Sequence, residues 1–90
     1  MNEGETPKPE QEVGKITGYF AKPCAASLTI TKGSLKVGDN IWIKGHTTDL
    51  KQTIASMQVD NQPVQEAHEG QSVGIKVSDR VRHNDIVYKI

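Results

Sequence analysis

The chain reads as an all-β domain on three observations. Apolar and polar residues alternate over short runs, the period of a strand that buries one face. Clusters of Gly, Pro, Asn and Asp separate those runs at regular intervals. At 90 residues the chain is long enough for one small barrel or sandwich, with little margin in its core.

Residues 1–12 hold Glu3, Glu5, Glu10 and Glu12 against Lys8, with Pro7, Pro9 and almost nothing apolar. Such a segment has too little to bury and is predicted to be a disordered tail, leaving residues 13–90 as the domain. The first strand is predicted over 13–20. Lys22-Pro23 interrupts it, because proline cannot donate to a ladder. Residues 25–31 alternate, with Ala26, Leu28 and Ile30 on one face. Ile41 and Ile43 share a face, and Trp42 takes the other. Val73, Ile75 and Val77 share a face after the turn at 68–71, and residues 86–90 close the chain.

Between the second strand and Ile41, the stretch KGSLKVGDNIWIKG nearly spells a phosphate loop. Gly33 and Gly38 have the G-x-x-x-x-G spacing, but Asp39 and Asn40 stand where Lys and Ser/Thr belong. Asp39 would set a negative charge against a phosphate, and a strand pattern follows where a helix is needed. Two turns are the better reading, with Gly33 and Gly38 supplying positive φ.

Residues 50–60 are ambiguous from local signals. Leu50, Ile54 and Met57 have helical spacing, with Thr48 or Asp49 available as a cap. Thr53, Ile54 and Val59 are β-branched and favour a strand. A strand would need a bulge or bend between Ile54 and Met57, which have opposite parity.

Composition removes several classes of function. The formal net charge is zero, divided as −3 on residues 1–12 and +3 on the rest, far from a polybasic nucleic-acid binder. No stretch approaches the roughly 18 apolar residues of a membrane span. Cys24 is alone, and no export pattern opens the chain, so a cytoplasmic location is expected. His46, His68 and His83 lie far apart, without C-x-x-C or H-x-x-x-H spacing. No nucleophile motif is present. No catalytic, metal or cofactor site is therefore expected.

Two groups remain as candidate binding residues. With Ile41 and Ile43 inward, Trp42 faces outward, and Lys44 and His46 follow it. An outward tryptophan is either a contact residue or a cover over the barrel end or the tail. Arg80, Arg82 and His83 form a second basic group in a loop.

The stretch Lys32-Gly33-Ser34-Leu35-Lys36-Val37-Gly38-Asp39-Asn40-Ile41 resembles the basic–Gly–x–apolar–x–x–Gly–acid–x–apolar stretch of translation-factor domain II. That domain is the β-barrel after the GTPase domain in elongation factor Tu, initiation factor 2 and relatives. Ala67-His68-Glu69-Gly70-Gln71-Ser72-Val73-Gly74-Ile75 resembles the family's A-x-x-G-x-x-V-G-I stretch, in the right order. The resemblance covers residues 13–90, and small free-standing elongation-factor-like proteins are closer still. It implies a six- or seven-stranded antiparallel Greek-key β-barrel with residues 50–60 as a strand. Leu35 and Val37 would then pack inward, and Asp39 would cap its turn. The GTPase motifs are missing, so GTP binding does not carry over, nor does aminoacyl-tRNA binding. A monomeric, non-catalytic binding module is expected. It would contact RNA or a ribonucleoprotein through Trp42, Lys44, His46, Arg80, Arg82 and His83. The alternative is an adapter that docks on a separate enzyme or GTPase.

Overall fold

A computed structural model describes residues 7–22 and 24–90. Residues 1–6, half of the predicted tail, lie outside the described residues. Of the remainder, Pro9–Gln11 form one 3-10 turn, and Gln11 Nε2 donates to the Lys89 carbonyl at 3.3 Å.

Ten short strands follow: β1 Glu12–Phe20, β2 Ala25–Ile30, β3 Ser34–Lys36, β4 Asn40–Lys44, β5 Asp49–Thr53, β6 Met57–Val59, β7 Gln62–Val64, β8 Glu66–His68, β9 Ser72–Lys76 and β10 Ile86–Lys89. Eight pair antiparallel in the order β5-β4-β10-β1-β2-β9-β6-β7, while β3 and β8 form a separate pair. The fold is all-β, as the alternation predicts, and the large sheet curls into a half-barrel. Register shifts in β1 near Val13 and Thr17 mark bulges, which add local bend and twist to the longest strand.

The core follows from strand parity. Ile16, Ala26, Leu28, Ile30, Ile41, Ile43, Val73, Ile75 and Val87 are buried from neighbouring strands onto one interior. Each fully buried aliphatic side chain is worth about 1.5–3 kcal/mol relative to exposure. The β3–β8 pair adds Leu35 and Ala67 as direct cross-strand partners, both buried, with half-buried Val37 packed against the core.

The near-miss phosphate loop is a turn. Gly38 has φ +99°, open to glycine and strained for other residues. Asp39 Oδ2 accepts from the Lys36 amide at 3.0 Å, the side-chain cap predicted for it. The chain then enters β4 with no helix.

Residues 50–60 are extended but are two strands rather than one. β5 pairs with β4, while β6 pairs with β7 and β9. The break at 54–56 lets Ile54 and Met57 both reach the core despite opposite parity. It is held by Ile54 N donating to Asp39 O and Gly38 N to Ile54 O, both 2.9 Å. Asp60 and Asn61 then have φ +53° and +64°, the mirror-image two-residue turn that suits a hairpin's twist. These interruptions divide the described residues into ten short strands, where the resemblance implies six or seven.

The edge strand β5 is tied across to β9 by one side chain. Gln52 Nε2 donates to the Lys76 carbonyl at 2.8 Å. Its Oε1 accepts from the Ser78 amide at 2.9 Å and the Ser78 hydroxyl at 3.3 Å. The side chain thus stands in for a missing rung of ladder. Among the described residues, no helix is long and apolar enough to cross a membrane.

Candidate interaction surface

The order β4-β10-β1 gathers sequence-distant loops at one end of the sheet. Ile86 of β10 lies opposite Lys44 of β4, so the 45–48 hairpin sits beside the 77–85 loop. Gly45 packs directly on the Asp85 carboxylate. Asp85 Oδ2 also accepts from the Arg82 amide at 2.8 Å, and Asp85 N donates to Arg82 O at 3.1 Å. The β1–β2 hairpin tip joins the same end through Val77 N donating to Cys24 O at 2.9 Å.

His46, Arg80, Arg82 and His83 are all exposed at this loop end, so the fold brings together four of the six predicted residues. Trp42 and Lys44 are on the outer face of β4 instead. Trp42 has the predicted outward parity, since Ile41 and Ile43 enter the core. It is nevertheless only 5% exposed.

That cover comes from its neighbours. Lys51 and Tyr88 flank Trp42 across the two adjacent strands. The Lys51 ammonium stands over the indole at 4.1 Å from the ring centroid, and Lys44 lies at 5.8 Å. The indole Nε1 donates to Asp49 Oδ1 at 2.6 Å, and Lys44 Nζ reaches Asp49 Oδ2 at 3.2 Å. The indole hydrogen bond, followed by that from Lys44, holds the Asp49 carboxyl below the usual carboxylate range. Trp42 is therefore a covered element of the outer face, outward in parity but enclosed by its neighbours.

A shallow groove of about 450 Å³ was missed by sequence reasoning. Phe20, 55% exposed, lines it together with Ala25, Ser27, Gly74, Gln58 and Asp60. Its floor follows from the cross-strand row Ser27–Gly74, whose small side chains leave the sheet surface low. The signal was present in Phe20 at the end of a strand pattern and in Gly74 within another. Among the described residues, no three His, Cys, Asp or Glu side chains gather to hold a metal ion.

A half-barrel with a shallow groove defines a class of small all-β module. Residues 26–82 match the family described as elongation factor Tu domain 2, and the chain belongs to that family. The same fold occurs in GDP-bound aIF5B from Aeropyrum pernix, with TM-score 0.61, 21% identity and coverage of 87% of this chain and 15% of that one.

Other similarities are to proteins named as proteases. The chain is 35% identical over 78 residues to an uncharacterized protease of Methanocaldococcus jannaschii, covering 86% of this chain and 19% of that protein. It is 36% identical over 78 residues to a collagenase of Porphyromonas gingivalis, covering 86% and 22%. The chain thus spans about a fifth of the length of these relatives. The C-terminal domain of a U32 peptidase from Geobacillus thermoleovorans has the same fold, with TM-score 0.83, 18% identity and coverage of 96% and 99%.

Proposed function

We propose that this chain is a non-catalytic protein-interaction domain, an adapter that serves a separate, peptidase-type catalytic domain. One observation carries the proposal. Nearly the whole chain corresponds to about a fifth of each longer relative named as a protease or collagenase. The remaining length of those relatives is where a catalytic domain would reside. A Geobacillus counterpart solved as a separate C-terminal domain supports residues 13–90 acting as one module, which we take to be a monomeric barrel of the translation-factor type.

The covered Trp42 weighs against RNA as the partner. Sequence-tolerant binding of single strands depends on exposed aromatic faces for stacking. Here the indole is enclosed by Lys51 and Asp49.

Affinity capture by the tagged chain, with and without RNase, tests the proposal. An RNase-resistant protein partner is expected, with no peptide hydrolysis by the chain alone. Capture abolished by RNase, or peptidase activity of the purified chain, would overturn it.

A further inference from the structure

Within that protein-interaction reading, we propose that the loop end carrying Arg80 and Arg82 docks an acidic polypeptide segment. The charges of the 77–85 loop are sorted by its backbone. Asp79 Oδ1 accepts from the Arg80 amide at 2.7 Å, and Asp85 Oδ2 from the Arg82 amide at 2.8 Å. Each acid thus places one oxygen on the loop's own N–H groups, Asp79 at the exposed surface and Asp85 buried. Both arginines are exposed, and neither guanidinium has an ion pair among the described residues.

The loop is also anchored on three sides. Gln52 fixes Ser78, Cys24 O receives the Val77 amide, and Gly45 backs Asp85. The 45–48 hairpin adds exposed His46 beside it. Two arginines on an anchored loop lose less freedom on binding than they would on a mobile one. A guanidinium presents a planar fork of donors that matches a carboxylate in bidentate fashion. A polypeptide is favoured over a nucleic acid because the indole of Trp42, the largest aromatic face, is covered on the outer side of β4.

The test uses the full ¹⁵N-labelled chain, titrated separately with a deca-glutamate peptide and with a uridine decanucleotide. Saturable amide shifts confined to residues 46 and 79–83 are expected with the peptide. An Arg80→Gln/Arg82→Gln variant should weaken that binding at least tenfold with an unchanged melting temperature. A Lys32→Gln/Lys36→Gln variant, altered in and beside β3 away from this loop, should bind as the parent does. Equal loss in both variants would mean diffuse charge attraction and overturn the proposal. Tighter binding of the oligonucleotide through the same residues would overturn it in favour of a nucleic-acid surface. If the arginine variant still captures the RNase-resistant partner at full affinity, the loop-end docking fails while the interaction function stands. Loss of any RNase-resistant partner for the parent chain removes the interaction function itself.

Discussion

Gly45 lies against the Asp85 carboxylate so closely that no side chain fits between them. This contact joins the β4–β5 hairpin to the start of β10, and the same carboxylate caps the Arg82 amide. Gly45→Ala should force the two loops apart and destabilise the domain by about 1–3 kcal/mol, as overpacking does. Urea denaturation measures the loss. A neutral result would show that the hairpin yields freely and that the loops are not locked.

Trp42 should matter to stability. Removing a buried tryptophan costs about 3–5 kcal/mol, so Trp42→Ala should lower the denaturation midpoint sharply. Trp42→Phe should cost less, because it keeps a ring beneath Lys51 and loses the hydrogen bond to Asp49. Comparing their unfolding curves separates ring from hydrogen bond. An unchanged midpoint for Trp42→Ala would show that the covered ring adds little to stability.

How much of this arrangement was legible can be seen at Trp42 itself. Its outward parity follows from Ile41 and Ile43, which is local information. Its cover comes from Lys51 and Asp49 on β5 and from Tyr88 on β10. The β10 partner lies on a non-consecutive strand, and no local period reveals that pairing. The same limit applies to the 45–48 hairpin and the 77–85 loop, which lie side by side only because β10 inserts between β1 and β4. By contrast, the Asp39 cap was legible, since its partner is three residues away. The ambiguity at Ile54 and Met57 arose because an interruption between two strands satisfies the core as well as a helical turn does.

Asp49 gives the domain a probe of acidity. Its carboxyl is held below the ordinary range, chiefly by the Trp42 indole and then by Lys44. A depressed folded-state value means that its contribution is present above the unfolded-state pKa and is lost as pH falls through the lower folded value. Trp42 is the sole tryptophan, so its fluorescence reports the step directly. The emission change should have its midpoint below the usual aspartate range and should vanish in Asp49→Asn. A midpoint within or above that range would mean the indole–carboxylate bond does not persist in solution.

Gln52 should behave as a fastener. Gln52→Ala removes hydrogen bonds to Lys76 and Ser78, and about 1–2 kcal/mol should be lost. Hydrogen exchange at the Ser78 amide should quicken, while exchange at Leu28 in the β1–β2–β9 centre changes only as much as global stability does. Uniform acceleration would show that β5 is not held locally by this side chain.

Nucleotides should leave the domain indifferent. The glycines at 33 and 38 shape turns around β3, and Asp39 is turned back onto the Lys36 amide. GTP or ATP with Mg²⁺ should not move the melting temperature, because a ligand stabilises only a fold it binds. A saturable upward shift of several degrees would contradict that assignment.

The hairpin turned by Asp60 and Asn61 delivers the chain into β7, the outermost strand beside β6. Pro63 occupies the middle of that three-residue strand. An outermost strand is a template onto which a second copy can zip, and repeated zipping builds filaments. Proline offers no N–H for such a zipper, and the strand is too short to supply many other rungs. The domain can therefore be crowded, whether alone or in a larger assembly, with this margin resistant to polymerisation.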